Sequence, residues 1–571
     1  MGQDQGKVRK PARAAALKRP LVLETEVLIA GGGPFGLMLA CELARRGVRT
    51  LLVDNKPGTA FNPQANATQA RTMEHFRRLG FADEIRRQGL PPDHPTDVAY
   101  LTRFNGYELA RLRLPTAAEA VRTVRAMSGS WSAAELPHRV SQKFVEATLR
   151  RHAQAAPTND VRYGWKLLDF EQHPDHVTAT VAPVDGAETV AVRARYLVGA
   201  DGARSQVRHK LGIGWSGGTG VRRDFMGGQM FAVYLRAPEF YRSVPHDRAW
   251  MYVAVNAQRR AFVMSVDGES EFAFHAALRE GEDSSGWGES DARRMLGQAM
   301  GCQTPIEVLS LATWTAGHSL VAQAFGRDRV FIGGDAAHLF TPTGGLGYNT
   351  AVEDAVNLGW KLAAVLRGGG GPALLSSYEI ERKPLAQRNT AYARQFADSV
   401  GLFSATPLLE EDSPAGVAER ARASAHLNAH VRMEFNIPGV TFGGRYDGSP
   451  VIVADGTVAP PDQPNAYVPT ACPGGRPPHA WLADGRSLFD SFHREWTLLV
   501  LGTDAPAAGG FVDAAEALGM DMKVVSHQAP ELRALYQAPL ALIRPDQIVA
   551  WRGDSDTAAA AVLRRAGGFT P

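Results

Sequence analysis

Cysteine is nearly absent from this sequence: only Cys41, Cys302 and Cys472 occur among 571 residues, and no two of them form a C-x-x-C pair. Three isolated thiols cannot build a disulfide framework or a four-cysteine zinc site, so they fit a reducing compartment. Long apolar runs are lacking too, since none approaches the roughly 20 residues that a membrane helix requires. The sequence therefore predicts a cytoplasmic protein with no bound metal and no membrane partner.

An excess of charge of one sign is also lacking, because 62 lysines and arginines stand against 59 aspartates and glutamates, for a net charge of +3. This balance argues against a dedicated nucleic-acid binder. Hydrophobic residues make up 44% and charged residues 21%, which is ordinary for a globular protein and excludes a mainly disordered or fibrous one. Residues 1–23 are basic without the apolar core of a secretory signal, and they are predicted to form a disordered tail.

Glycine, in contrast, is abundant at 58 residues, and its first cluster follows a buried strand predicted at residues 26–30. The cluster matches G-x-G-x-x-G, in which glycines allow a tight turn, approach to a pyrophosphate and close helix packing. Its residues of interest are Gly31, Gly33, Pro34, Phe35 and Gly36. A helix is predicted over residues 35–46 and a second strand over 48–54, where Asp54 could bind ribose hydroxyls. This βαβ unit predicts a dinucleotide site, for NAD or for FAD.

Two later predicted strands each end in a pair of one glycine and one aspartate. The first pair is Asp201 and Gly202, and the second is Gly334 and Asp335. A carboxylate beside a flexible backbone suits the hydroxyl groups of a cofactor that lies across the carboxyl edge of a sheet. A glycine-rich turn and a helix follow the second pair and allow close approach to a flat ring. The candidates there are Gly345, Gly347, Tyr348 and Asn349.

These three segments, in this order and spacing, resemble the single-component FAD-dependent aromatic hydroxylases, the superfamily of para-hydroxybenzoate hydroxylase and phenol hydroxylase. The resemblance spans residues 27–362 and is closest to the phenol, chlorophenol and 2-hydroxybiphenyl hydroxylases. It implies FAD as the cofactor and adds Gln64, Arg139 and Gln142 as flavin-binding candidates. The stretch from 473 to 554 is similar to the thioredoxin-like extension of these enzymes. It has no C-x-x-C, so a structural or dimer-supporting role is predicted there.

The implied fold class is α/β, with a Rossmann-type FAD-binding domain, an inserted mainly antiparallel substrate-binding sheet and a C-terminal thioredoxin-like domain. Period-2 alternation over residues 161–197 and 249–266 independently predicts antiparallel strands. Length alone suggests about four domains, and the motifs revise this to three of unequal size. The predicted boundaries are 24–100, 131–210 and 325–400 for the FAD-binding domain, 101–130 and 211–324 for the substrate-binding domain, 401–455 for a helical linker region, and 456–571 for the thioredoxin-like domain.

The resemblance implies an NAD(P)H- and O2-dependent monooxygenase that acts on a small phenolic aromatic substrate. NADPH or NADH, a choice that the sequence leaves open, would reduce FAD, and O2 would then form a flavin C4a-hydroperoxide that hydroxylates the ring. Alternatives are an FAD-dependent epoxidase or a halogenase-like oxidoreductase, although no W-x-W-x-I-P stretch occurs. A non-catalytic binding protein on the same fold would be expected to lose the flavin motifs.

Departures from the family pattern affect the predicted substrate pocket. Asn66 stands where phenol hydroxylase-like members carry the aspartate that activates the phenol, so it is predicted to be a polar neighbour of the substrate and not a base. Tyr252 resembles a sheet tyrosine that lies near substrate in relatives, with an ordinary strand aromatic as the alternative. Pro342 is predicted to lend a backbone carbonyl near the flavin. The predicted catalytic set is therefore Asn66, Tyr252 and Pro342.

Overall fold

The computed structural model describes residues 22–219 and 225–569. The predicted disordered tail lies outside the described residues except for Val22 and Leu23, which already belong to the first strand. Within the described ranges, no helix combines the length and the apolar character that crossing a membrane would demand. The same ranges contain no cluster of three or more His, Cys, Asp or Glu side chains that could hold a metal ion.

The strands of the described chain fall into four sheets. They are β1 (Val22–Ala30), β2 (Thr50–Asp54), β3 (Val98–Leu101), β4 (Glu108–Leu112), β5 (Asn159–Tyr163), β6 (Trp165–Gln172), β7 (Val177–Pro183), β8 (Val190–Gly199), β9 (Trp215–Gly218), β10 (Gly228–Arg236), β11 (Met251–Val255), β12 (Arg260–Ser265), β13 (Glu271–Ala277), β14 (Glu307–Ala316), β15 (Ser319–Ala322), β16 (Gly326–Arg327), β17 (Val330–Ile332), β18 (His338–Leu339), β19 (Trp496–Leu501), β20 (Met522–His527), β21 (Leu540–Ile543) and β22 (Val549–Gly553).

The α-helices of the same ranges vary from one turn to eight turns. They are α1 (Pro34–Ala44), α2 (Ala70–Leu79), α3 (Ala82–Arg86), α4 (Ala117–Thr123), α5 (Gln142–Ala155), α6 (Gln206–Lys210), α7 (Phe240–Ser243), α8 (Glu289–Met300), α9 (Leu346–Arg367), α10 (Ala373–Gly401), α11 (Pro414–Phe435), α12 (Pro438–Phe442), α13 (Gly509–Ala517), α14 (Pro530–Tyr536) and α15 (Ala559–Ala566).

The first sheet is the nucleotide-binding type that the glycine motif predicts. Its main path runs β16-β17-β8-β1-β2-β5, and every pair along it is parallel except β16 with β17. Strands buried on both faces read as continuous apolar runs, and residues 27–30 of β1 are fully buried. The N-terminal half of β8, residues 190–194, also pairs with β7, and β7 pairs with β6. An antiparallel meander therefore extends the sheet. This meander lies where the sequence alternation predicts it.

The second sheet, in the order β14-β10-β13-β12-β11-β3-β4, is antiparallel except where β11 runs parallel to β3. Its strands come from residues 98–112 and 228–316, so the sheet is inserted between segments of the first domain. β3 begins at Val98, inside the range predicted for the FAD-binding domain. Helix α8 covers one face of the sheet, and α11 lies on the other face. A small third sheet has the order β18-β15-β9.

The C-terminal sheet has the order β20-β19-β21-β22, with a parallel first pair and antiparallel remaining pairs. With α13, α14 and α15 it forms the βαβαββα succession of a thioredoxin fold. Helices α11 and α12 occupy the region predicted as a helical linker.

Buried charges join the thioredoxin-like domain to the FAD-binding domain. Arg476 lies 2.5 Å from Glu74 of α2, between Nη2 and Oε1, and Arg544 lies 2.6 Å from Glu381 of α10. The four side chains are 2% exposed or less. Buried ion pairs are stable only when close hydrogen bonds offset the loss of hydration. These two pairs therefore fix how the C-terminal domain sits on α2 and α10.

Acid is expected to weaken this interface through Glu74. Burial raises the pKa of Glu74, but Arg476 and Arg71 outweigh that effect and lower the pKa from 4.5 to about 2. Because the folded pKa lies below the unfolded one, the stabilisation is complete above about pH 4.5 and is lost as the pH falls towards 2. The shift corresponds to about 3 kcal/mol. Urea unfolding measures the free energy of unfolding of the wild type and of Glu74→Gln across this pH range. The difference between the two proteins should shrink as the pH falls. A difference that does not change with pH would contradict the role given to Glu74.

Candidate functional site

The glycine loop after β1 brings three backbone segments into contact. Gly31 has a φ of +120°, and a Cβ there would collide with the carbonyl group of Ala200 at the end of β8. A Cβ on Gly36 would collide with the carbonyl oxygen of Gly31, so both positions require glycine. A Cβ on Gly33 would meet only open space. Helix α1, which begins at Pro34, therefore presents its unpaired first-turn amides to an open region that suits an anion.

Asp54 lies at the edge of this open region. Its Oδ2 accepts a hydrogen bond from the amide of Gly32 at 2.6 Å, and its Oδ1 accepts one from the amide of Lys56 at 2.8 Å. The Tyr163 hydroxyl donates to the carbonyl of Gly32 at 2.8 Å. Tyr163 ends β5, 131 residues from the loop, and sequence reasoning missed it because no local signal connects the two.

The second glycine–aspartate pair adjoins the same loop. A Cβ on Gly333 would collide with the ring of Phe35, which explains why glycine follows β17. Asp335 is exposed, and no residue of the described chain donates a hydrogen bond to its carboxylate. Desolvation by the surrounding protein raises the pKa of Asp335. An accessible carboxylate in such a recess can accept hydrogen bonds from cofactor hydroxyl groups.

Asp201, the other predicted aspartate, is engaged within its own turn. Its Oδ1 accepts a hydrogen bond from the Ser205 hydroxyl at 2.5 Å, and its Oδ2 accepts one from the amide of Val207 at 3.1 Å. Gly202 has a φ of +75°, which completes the turn into α6. The two residues therefore shape the backbone beside the end of β8.

Asn349 ties the loop over residues 66–69 to the start of α9. Its Oδ1 accepts from the amide of Gln69 at 2.8 Å and from the Thr72 hydroxyl at 2.7 Å. Its Nδ2 donates to the carbonyl groups of Ala67 at 2.9 Å and Gly345 at 2.6 Å. These four bonds use the full capacity of the amide. The predicted role is thereby corrected: the Asn349 side chain positions the loop and has no bond left for a cofactor.

Gln142 and Gln64 lie at the other side of the same loop. The backbone amide of Gln142 donates to the carbonyl of Ala65 at 2.6 Å, and its side chain donates to Glu146 at 2.6 Å. Gln64 is exposed. The start of α5 thus holds the loop from one side while Asn349 holds it from the other.

The turn before α9 approaches this loop closely. Gly345 has a φ of +65°, and a Cβ there would lie 2.9 Å from the Cβ of Ala67. Gly347 is partly exposed, Pro342 is exposed, and Tyr348 is buried, which raises its pKa. Gly345 therefore lies beside the loop that carries Asn66.

Asn66 is buried, with 5% of its surface exposed. Its Nδ2 lies 3.7 Å from the Sδ of Met264, whereas its Oδ1 has no hydrogen-bond donor among the described residues. Met264 belongs to one apolar cluster with Trp250 and Phe262. Arg139 stacks its guanidinium 4.5 Å from the ring centre of Trp250. The Asn66 side chain therefore contacts the side of the second sheet that α11 covers, and its oxygen is an unsatisfied acceptor.

Tyr252 does not reach this pocket, which corrects its predicted role. Cross-strand pairing places Met251 beside Met264 and Tyr252 beside Val263, so Tyr252 points to the opposite face of the sheet. It packs there among the residues under α8, and its hydroxyl accepts a hydrogen bond from the amide of Ala249 at 2.8 Å. Tyr252 is the ordinary strand aromatic that stood as the alternative.

Two side chains that sequence reasoning missed complete the loop's support. Gln69 donates from Nε2 to the carbonyl of Gly344 at 2.9 Å, and Glu434 accepts from the amide of Gly344 at 3.0 Å. Gln69 lies within the loop over residues 66–69 and could have been included with its neighbours. Glu434 comes from α11, far along the chain, and no sequence signal points to it.

The sheet order, the glycine loop and the accessible Asp335 define a dinucleotide-binding domain, into which a second, mainly antiparallel sheet is inserted. Residues 24–393 match the family described as FAD binding domain, and residues 470–568 match the one described as aromatic-ring hydroxylase, C-terminal. The chain therefore belongs to the FAD-dependent aromatic-ring hydroxylases, and it is an FAD-dependent monooxygenase. The predicted family, fold class and enzyme class are confirmed.

Individual relatives match this chain over nearly its whole length. The FAD-dependent monooxygenase apdD of Emericella nidulans is 30% identical over 95% of this chain and 90% of its own. The 2,4-dichlorophenol 6-monooxygenase of Delftia acidovorans is 30% identical over 96% of this chain and 99% of its own. Among solved structures, the rebeccamycin biosynthetic enzyme RebC with reduced flavin is 34% identical, with a TM-score of 0.84 over 96% of this chain and 100% of that one.

Proposed function

We propose that this monooxygenase hydroxylates a phenolic aromatic substrate, with NADPH or NADH as reductant and O2 as the source of oxygen. The observation that carries the proposal is the buried Oδ1 of Asn66, to which no described residue donates a hydrogen bond. Buried polar atoms in proteins are nearly always satisfied, and a phenolic hydroxyl group is a donor of the kind that this acceptor lacks. The name of the dichlorophenol monooxygenase, a relative along nearly the whole chain, supports the same substrate class.

The residues around the glycine loop fit FAD. The open region at Gly33 suits its pyrophosphate, and Asp335 offers an acceptor for its hydroxyl groups. When bound, FAD supplies the electron transfer and oxygen activation that hydroxylation requires. We assign to its binding, by side chain or backbone, Gly31, Gly33, Pro34, Phe35, Gly36, Asp54, Gln64, Gln142, Asp201, Gly202, Gly334, Asp335, Pro342, Gly345, Gly347 and Tyr348.

Asn66 orients the substrate in this proposal. Its amide oxygen accepts a hydrogen bond from the phenolic hydroxyl, which fixes the ring's orientation and increases electron density at the ortho and para carbons. An amide is not a base near neutral pH, so Asn66 does not remove the proton. The apolar cluster with Met264, Trp250 and Phe262 lines the same side and keeps water away.

Asn66→Ala is expected to lower kcat/KM for the best phenolic substrate by roughly tenfold, because it removes one buried hydrogen bond. It should also lower the yield of hydroxylated product per NAD(P)H oxidised, with FAD content retained. The assay measures NAD(P)H oxidation and product with phenol, 2,4-dichlorophenol and 2-hydroxybiphenyl.

Tyr252→Phe is the matched control, because it removes a hydroxyl from the opposite face of the same sheet. It should leave turnover and product yield unchanged. If Asn66→Ala and Tyr252→Phe changed kcat/KM and product yield equally, Asn66 would no longer support the proposal.

A further inference from the structure

Arg139 is a buried cation at the boundary between the two domains. It lies in the extended segment that follows the bridge between Thr68 and His138 and precedes α5. Its guanidinium lies 4.5 Å from the ring centre of Trp250 and 5.7 Å from that of Phe435, and 7% of the residue is exposed. Stacking of this kind leaves the N–H groups at the edge of the guanidinium plane free to bind a planar anion.

No described residue accepts a hydrogen bond from Arg139 or forms an ion pair with it. Glu434 is the carboxylate that acts most strongly on the pKa of Arg139, yet it forms neither a hydrogen bond nor an ion pair with Arg139. Its Oε1 accepts from the amide of Gly344 at 3.0 Å, and its Oε2 lies 3.0 Å from Nε2 of His430. Burial lowers the pKa of Arg139 to about 10, with Glu434 opposing this only in part.

Arg476 shows how the same chain satisfies a comparable arginine. Its guanidinium also stacks on an aromatic ring, 4.4 Å from the centre of Phe442, and its N–H groups meet the Glu74 carboxylate at 2.5 Å. A buried charge without a hydrogen-bonded partner is costly. Arg139 therefore has the environment of an arginine whose anion comes from outside the protein.

The position of Arg139 indicates which ligand brings that anion. Trp250, on which it stacks, belongs to the same apolar cluster as Met264, and Met264 contacts Asn66. The stacking on Trp250 thus places Arg139 against the apolar cluster that lines the pocket proposed for the substrate. The contacts of the glycine loop, at Gly32 and Asp54, involve none of the residues that Arg139 touches.

The resemblance predicts Arg139 to be a flavin-binding residue; we propose instead that it binds a carboxylate group of the substrate, so that the enzyme acts on hydroxylated aromatic acids. The planar guanidinium matches a carboxylate with two parallel hydrogen bonds. Asn66 accepts a hydrogen bond from the phenolic hydroxyl of the same molecule. This inference rests on the proposed function, because it deepens the assignment of the same pocket.

Matched pairs of acid and amide test the proposal on the FAD-loaded enzyme. The probes are 3-hydroxybenzoate with 3-hydroxybenzamide, and 3-hydroxy-2-naphthoate with 3-hydroxy-2-naphthamide. Calorimetry gives their dissociation constants without turnover. In the wild type, at least one acid should bind roughly 10- to 100-fold more tightly than its amide. Arg139→Met should remove that preference, and Arg139→Lys should retain part of it.

Arg248→Met is the matched control, since Arg248 stacks 4.5 Å from the ring centre of Tyr241, which packs against the cluster on the opposite side of the sheet. It should leave the acid preference unchanged. Equal binding of acid and amide to the wild type in both pairs would overturn the proposal, and this comparison needs no variant to fold. Loss of FAD from Arg139→Met would also overturn it, since the anion would then belong to the cofactor. A third outcome separates the two proposals: the acids bind more tightly than the amides, but no phenol, charged or neutral, is hydroxylated. The proposed function would then be wrong, whereas the carboxylate site at Arg139 would be supported.

Discussion

Glu381→Gln is expected to lower the free energy of unfolding by about 3–5 kcal/mol, because it leaves buried cations without their shared partner. The Glu381 carboxylate lies 2.6 Å from Lys361 of α9 and 2.6 Å from Arg544 of the thioredoxin-like domain, and all three side chains are fully buried. Burial raises the pKa of Glu381, but these two cations outweigh it and hold the pKa far below its usual range. Among the described residues, Asp546 is the carboxylate that would remain beside Arg544 to balance both positive charges.

Glu379→Gln on the same helix is the control for this loss. Its side chain is 38% exposed, and its ion pair with Lys383, at 3.4 Å, should contribute less than about 1 kcal/mol. Urea unfolding followed by tryptophan fluorescence measures both variants, and Trp360 and Trp496 report on the interface because their rings pack edge to face. Similar small losses from the two substitutions would show that the buried network does not stabilise the fold.

Gly33→Val is expected to abolish most FAD binding while leaving the fold intact. A Cβ at Gly33 meets nothing in the protein, so the substitution introduces no internal collision. The new side chain enters the open region at the start of α1, where the pyrophosphate is assigned. An overpacked contact there costs about 1–3 kcal/mol, so FAD affinity should fall roughly 10- to 100-fold. The measurement is the FAD dissociation constant, with the urea midpoint of the apoprotein as the check on folding.

Gly286→Val provides the comparison, because Gly286 is another glycine whose added Cβ would meet open space without a positive φ. It lies in the loop before α8 and should leave FAD binding unchanged. A Gly33→Val protein with wild-type FAD affinity would show that the cofactor does not pass this point.

The βαβ unit was predictable because its signals are local. The helix predicted over residues 35–46 is observed at Pro34–Ala44, and the strand predicted over 48–54 is observed at Thr50–Asp54. Gly36 is dictated by a collision within the same short segment, whereas Gly31 is dictated by the carbonyl group of Ala200, at the distant end of β8. The thioredoxin-like domain, in contrast, was predicted from the resemblance of residues 473–554 to the extension of related enzymes.

The sequence did not predict which residues share a face of the second sheet, because a bulge at the start of β11 shifts the alternation of side chains. The alternation predicts Trp250 and Tyr252 on one face, yet they lie in different apolar clusters. The amides of Trp250 and Met251 both bond to the carbonyl of Asp97, so the chain bulges where β11 begins. A one-residue offset reverses every later side chain, and Tyr252 consequently points away from Asn66.

Contacts between distant segments could not be predicted from the sequence either. Asn349 holds Gln69 across 280 positions, and Glu381 meets Arg544 across 163. Neither pair has a spacing that a helix or strand period could encode. The sequence motifs located the turn that carries Asn349, but only the hydrogen bonds show that its side chain serves the loop.

Isotopically labelled O2 tests the central claim most directly. The purified enzyme, loaded with FAD and supplied with NADPH or NADH, is incubated with the phenolic substrate that most stimulates reductant oxidation, and the product is analysed by mass spectrometry. The account predicts a ring-hydroxylated product whose new oxygen atom comes from labelled O2 and not from labelled water. Product without that label, or a folded protein that binds no FAD, would contradict it.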